Sequence, residues 1–186
     1  MSRTLYQRAS SAQCRAARWV LERKRLACAV VEVDAAAAAL LLRRHGGADV
    51  PLLEEDGSAV AGLVPIVSYL ERTHGPPSVF PADAQKRNQA ATLAEFAERA
   101  IGPVAERLRG AERDRETPLR ELRVLLGQVR EAIARRALDS GACHLGDLAV
   151  AAWLVACREL PELEFDREYA DLAAYVARVR AALRGR

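Results

Sequence analysis

Four cysteines, a pair of serines ahead of a helical stretch and one proline at the mouth of a strand are the residues here whose types and spacing could do chemistry. Cys14, Cys28, Cys143 and Cys157 are too few and too far apart for a disulfide scaffold in a chain of 186 residues. No Cys-x-x-Cys or Cys/His cluster has the spacing of a zinc site. Buried free thiols are therefore expected at all four, Cys28, Cys143 and Cys157 above all. Ser10 and Ser11 come just before a helical stretch, and the hydroxyl of either can accept from first-turn N–H groups and cap it. Pro51, within Asp49-Val50-Pro51-Leu52-Leu53, has no N–H for a ladder and belongs at a strand's first residue or on an edge strand. The Val50–Pro51 bond is a candidate for the cis form, against an ordinary trans proline opening an edge strand. Arg8, Arg15 and Arg18 near the serines could attract an anion, although arginines beside a helix are more often simply solvated.

The elements that must position these residues follow from periodicity. Residues 4–7 read as a strand, 8–13 as a polar loop, and Cys14 to Leu21 as a helix whose apolar stripe is Cys14, Ala17, Trp19, Val20 and Leu21. Ala27 to Val33 is rich in β-branched residues and reads as a buried strand, giving a parallel βαβ unit. Ala35 to Arg44 is an alanine-rich helix stopped by Gly46-Gly47. A hairpin follows, with its turn at Glu55-Asp56-Gly57-Ser58, where Gly57 can take a positive φ. Leu63 to Arg72 is a further helix. The order over residues 1–75 is thus β-α-β-α-β-β-α, and the proline-bearing stretch 76–82 reads as a linker.

Residues 83–186 show only helical patterns. Asp83 to about Arg109 is helical, interrupted by Gly102-Pro103, which must kink or end it. Residues 109–115 read as a solvated turn. Thr117 as cap with Pro118 at the first helical position opens a helix to about Ala137. His144 to Arg158 and Glu168 to Leu183 supply two more.

Composition narrows the function classes. Hydrophobic residues make up 51% and charged residues 28%, enough to bury a core and stay soluble. Apolar runs such as Ala35 to Leu42 are far short of the roughly 20 residues of a membrane span. Met1-Ser2-Arg3 runs into Thr4-Leu5-Tyr6 with no apolar signal stretch, so a cytoplasmic protein is expected. The net charge of +3 is spread evenly along the chain rather than gathered into the basic face of a nucleic-acid binder.

Taken together, Thr4-Leu5-Tyr6, Arg15-Ala16-Ala17-Arg18-Trp19-Val20-Leu21, Val50-Pro51-Leu52-Leu53, Ile66-Val67-Ser68-Tyr69-Leu70-Glu71, Phe80-Pro81-Ala82-Asp83 and His144-Leu145-Gly146-Asp147-Leu148-Ala149 resemble the glutathione S-transferase family over essentially the whole chain. The resemblance implies a thioredoxin-like α/β domain at 1–75 (βαβ-α-ββα), a linker at 76–82 and an all-helical bundle at 83–186. It implies glutathione as co-substrate, a homodimer and no metal. It puts Ser11 where the family's catalytic serine or cysteine stands. A hydroxyl at a helix's positive end can donate to the glutathione sulfur and lower its pKa. Ser11 acting merely as a cap is the competing reading. Gln7 falls at the family's tyrosine position, and Tyr6, one residue out of register, is expected to pack. With serine first, Ser11 and Cys14 cannot run dithiol exchange, which disfavours a redox enzyme.

The resemblance also implies that the backbone of Val50, ahead of Pro51, pairs with the cysteinyl part of the tripeptide. It departs where the family's Glu-Ser pair holds the γ-glutamyl end. Those positions read as Ala61-Gly62, leaving backbone N–H groups at Gly62 and Leu63 to receive a carboxylate. His144 stands where the cap is normally Ser or Thr, with Asp147 expected to form half of a capping box. Two functions remain open. One is a transferase conjugating glutathione to small electrophiles held between the domains, with a weakened glutathione site. The other is a non-enzymatic regulator or interaction protein on the same scaffold. Gly75-Pro76-Pro77 with Phe80-Pro81, and Leu160-Pro161-Glu162-Leu163-Glu164-Phe165, resemble stringent starvation protein A, which associates with RNA polymerase. Fold alone does not choose between them.

Overall fold

A computed structural model describes residues 2–45, 50–110, 114–138 and 143–184. They fall into two compact units, Met1–Val79 and Phe80–Arg186, the division lying within the stretch read as linker. Among the described residues no helix is long and apolar enough to cross a membrane.

The first unit is built on a four-stranded sheet of order β2-β1-β3-β4. β1 (Arg3–Gln7) pairs in parallel with β2 (Ala29–Glu32) and antiparallel with β3 (Leu52–Glu55), which pairs antiparallel with β4 (Ser58–Ala61). The two inner strands carry the core: Leu5 lies opposite Leu53, and both are buried. The hairpin turn uses Asp56 and Gly57, both at positive φ, the two-residue form that matches strand twist. The run expected as a buried strand differs. β2 is shorter than 27–33 and exposed along its whole length, Val30 at 49%. Its valines give β propensity, but β2 is an edge strand with a neighbour on one side only. Val33, just past it, turns inward, its N–H donating to the Gln7 carbonyl at 2.8 Å.

α1 (Ala12–Arg23) and α3 (Leu63–Thr73) pack against each other. α3 buries Leu63, Ile66, Val67 and Leu70, the i, i+3, i+4, i+7 stripe of an amphipathic helix. α2 (Ala35–His45) opens on Asp34, whose carboxylate accepts from the Ala37 N–H at 2.7 Å. The stop expected for it at Gly46-Gly47 lies outside the described residues. Beyond α3 the chain stays tied to the first unit. Lys24, only 4% exposed, donates to Glu71 at 2.9 Å and to the carbonyls of Gly75 (3.1 Å) and Pro77 (3.3 Å). Glu71 also accepts from the Ser78 hydroxyl and the Val79 N–H. Burial pushes the Glu71 carboxyl up, but these hydrogen bonds outweigh it and hold it below the usual carboxylate range. The Pro76–Pro77 peptide bond is cis.

In the second unit, α4 (Ala84–Phe96) continues through one π turn (Ala97–Ile101) into α5 (Gly102–Arg109). The break expected at Gly102-Pro103 is thus absorbed by a widened turn ahead of the proline, which lets the helix run on. Gly102 has a packing role. A Cβ there would stand 2.8 Å from the Trp153 ring, whose Nε1 donates to Glu98 at 3.2 Å. Gly102→Ala is expected to cost about 1–3 kcal/mol by overpacking, read as a lower denaturant midpoint at unchanged slope.

α6 spans Glu116–Ala134, with Thr117 inside it rather than capping it. Asp114 does the capping, its Oδ1 accepting from the N–H groups of Glu116 (3.0 Å) and Thr117 (3.3 Å). α7 (Leu145–Arg158) is the inner helix of the unit, buried from Leu145 through Leu154. The helix expected over Glu168 to Leu183 begins instead at Ala170 (α9, Ala170–Leu183); Glu168 ends a separate short turn, α8 (Phe165–Glu168), and Tyr169 between them, at φ −130° and ψ 40°, is not helical.

Candidate functional site

Ser11 is the N-cap of α1. Its extended backbone (φ −75°, ψ 124°) turns the chain into the helix, and its Oγ accepts from the Cys14 N–H at 3.3 Å. Its own N–H donates to the Arg8 carbonyl at 3.0 Å, which closes the loop behind it. A hydroxyl that accepts in this way keeps its proton to donate outward. The cap and the donor are therefore compatible roles for one side chain. Ser10, the other serine, is exposed.

Cys14 joins this turn to the rest of the site. It is fully buried, its sulfur accepting from the Arg8 N–H at 3.4 Å, and it packs in one cluster with Val33 and Val50. Tyr6, Ala37 and Leu41 lie against the same cluster. Tyr6 packs as expected, and its hydroxyl donates to Glu54 at 3.0 Å. That hydrogen bond, more than burial, raises its pKa. The Val50–Pro51 bond is cis, and the Pro51 carbonyl accepts from the Gly62 N–H at 2.8 Å, extending the β3–β4 ladder by one bond. Ser11, Val50, Pro51 and Gly62 thus lie along one unbroken series of contacts running through Cys14.

The mouth of α3 differs from the expectation in one respect. Gly62 is the N-cap residue and its N–H is already used by Pro51, so it is not a donor to a ligand. Leu63 and Val64, in the first turn, carry the N–H groups that a carboxylate would meet, and Pro65 after them has none. Gly62 sits at φ 88° and ψ 149°, a region that side-chain-bearing residues essentially avoid. Leu63 is buried in the core of the unit. Neither position offers a polar side chain.

Glu32 was not legible as a site residue, although it lies directly across the parallel ladder from Gln7. One carboxylate oxygen accepts from the buried Gln7 amide at 3.1 Å and the other from the Ala9 N–H. It therefore ties the β1–α1 loop, and with it Ser11, to the end of β2. Arg8, Arg15 and Arg18 are all half-buried. Among the described residues no cluster of three or more His, Cys, Asp or Glu is arranged to hold a metal.

Comparison with known proteins matches residues 5–78 to the glutathione S-transferase N-terminal domain. Solved structures extend the likeness of fold to the whole chain. A rice glutathione S-transferase in complex with glutathione superposes with a TM-score of 0.81 at 22% identity, over 95% of this chain and 85% of that one. A glutathione S-transferase from Rhodospirillum rubrum gives 0.78 at 22% identity, over 96% and 87%. Ure2p in complex with glutathione gives 0.77 at 17% identity, over 100% and 95%. No curated protein sequence matches the chain.

Proposed function

We propose, for a chain whose residues 5–78 match the glutathione S-transferase N-terminal domain, that this site takes glutathione as co-substrate and conjugates it to a small electrophile. Ser11 donates its proton to the glutathione sulfur, and the positive end of α1 favours the thiolate. The observation that carries the reading is the Ser11 hydroxyl, fixed at the helix cap by the Cys14 N–H with its own proton left to give. The backbone of Val50, ahead of the Pro51 turn, faces the cysteinyl part. The N–H groups of Leu63 and Val64 meet the γ-glutamyl carboxylate. No side chain at Gly62 or Leu63 helps, and hydrogen bonds to charged groups contribute about 1.5–3 kcal/mol each, so binding about 10²-fold weaker than with two such contacts is expected.

A non-enzymatic role on the same scaffold is the second reading, favoured by that bare helix mouth. The stretches similar to stringent starvation protein A do not strengthen it. Leu160, Leu163 and Phe165 are buried, and the carbonyls of Gly75 and Pro77 hold Lys24. These residues have structural duties that account for their presence. A cytoplasmic homodimer is part of the proposal under either reading.

Calorimetric titration with glutathione, together with turnover of an aryl halide, tests the choice. The wild type is expected to bind at millimolar affinity or better. Ser11→Ala is expected to keep that affinity while conjugation falls about 10²-fold, the scale of losing one donor to a developing anion. Equal turnover in the variant removes Ser11 from the chemistry. A wild type that takes no glutathione leaves the non-enzymatic reading.

A further inference from the structure

The second unit contains a cavity of about 130 Å³ whose wall gathers Lys86, Arg136 and His144 from three separate segments, with Gln89 beside them. Lys86 comes from the first turn of α4, Arg136 from the residues just past α6, and His144 from the cap of α7. Among the described residues, neither Lys86 nor Arg136 has a carboxylate partner. One carboxylate, Asp147, also borders the cavity. Its two oxygens are taken by the His144 N–H at 3.0 Å and the Tyr175 hydroxyl at 2.7 Å, so its charge is spent inside the unit.

The backbone at Arg136 is a second, independent feature of the cavity. Arg136 has φ 54°, the left-handed conformation that the residue after a helix commonly takes and that glycine occupies without strain. Its N–H donates to the Ile133 carbonyl at 3.0 Å and that of Ala137 to Ala132 at 2.9 Å, so the turn itself needs no arginine. A side chain is kept at conformational cost where none is required for folding, and it lines a cavity beside Lys86, which has no carboxylate partner among the described residues. The space is several times the roughly 10–15 Å³ that one water-sized group needs.

From this arrangement we propose that the cavity binds a small oxyanion with the size and charge of phosphate, held by Lys86 and Arg136 and contacted by His144. Such a group exchanges charge-assisted hydrogen bonds with both cations at once. The ligand is free phosphate or the phosphate group of a small monoester. The site lies entirely within the second unit, so this inference stands apart from the glutathione reading.

The test is calorimetric titration of the full chain at constant ionic strength with inorganic phosphate, with glycerol 3-phosphate and, as a control, with acetate. Saturable one-to-one binding of phosphate is expected, with acetate silent. Arg136→Gly relieves the backbone and so keeps or raises thermal stability, and it is expected to weaken phosphate at least about tenfold. Lys86→Gln, an exposed substitution, is expected to do the same. Tighter binding of the monoester identifies an organic phosphate as the occupant, and tighter binding of inorganic phosphate identifies the free ion. Absence of saturable binding, equal binding of acetate, or affinity unchanged in both variants overturns the proposal.

Discussion

Lys24→Met is expected to lower the unfolding free energy of the first unit by about 3–5 kcal/mol, the scale of breaking one side of a buried ion pair. All three ammonium donors are in use, on Glu71, Gly75 and Pro77, so methionine leaves a carboxylate and two carbonyls short of a partner at once. The double variant Lys24→Met/Glu71→Leu is expected to recover part of the loss, because no lone charge is left behind. Hydrogen exchange of β1 and β3 amides, which reports opening of this unit alone, is the suitable measurement. The same carboxylate sets an acid limit. Since the folded Glu71 titrates below its ordinary range, its contribution is present at neutral pH and down to its unfolded value of about 4.3, and it disappears as pH falls through the folded value. Glu71→Gln is expected to flatten that acid limb. Glu55 behaves likewise. Burial pushes its carboxyl up, but hydrogen bonds from His74, Arg3 and Tyr69 prevail and hold it low.

Asp147→Ala is expected to cost about 2–4 kcal/mol in the second unit, combining loss of a helix cap with a buried Tyr175 hydroxyl left unpaired. Asp147 is 3% exposed and both of its oxygens are engaged, one on the cap residue of α7 and one on α9. Burial beside this carboxylate raises the Tyr175 pKa, so the hydroxyl stays a donor at any ordinary pH. Asp147→Asn keeps an acceptor for one of the two partners and is expected to cost less than half as much. Tyr175→Phe in the Asp147→Ala background should add little, because the shared hydrogen bond is already gone. Urea denaturation of the three variants checks the order.

Element order was legible because it is written locally. The stripes of α1 and α3, the Asp56-Gly57 turn and the Asp147 cap each declare themselves within a dozen residues. What was not legible depends on distant neighbours. A run of valines cannot say whether its strand lies inside or at the rim of a sheet, so β2 reads as buried although it lies exposed at the rim. Asp114 and Thr117 are both capping residue types, and only the phase of α6 selects the first. Lys24 and Glu71 lie 47 positions apart with no pattern joining them. At the candidate site, Ser11 as the cap of α1 was legible from its place just ahead of the helical stretch. That Gly62 spends its N–H on Pro51 follows from the β3–β4 register, which no spacing reveals.

β2 gives the first unit an unguarded rim. Among the described residues its outer backbone groups have no neighbouring strand, Val30 and Val31 are exposed, and Ala27 to Val33 carries a single charge and no proline. A segment of that composition is prone to stack with copies of itself once it peels from the sheet. Solubility of this protein during synthesis or heating therefore depends on how firmly β1 keeps hold of β2, and a charged residue in place of Val30 would act as a gatekeeper.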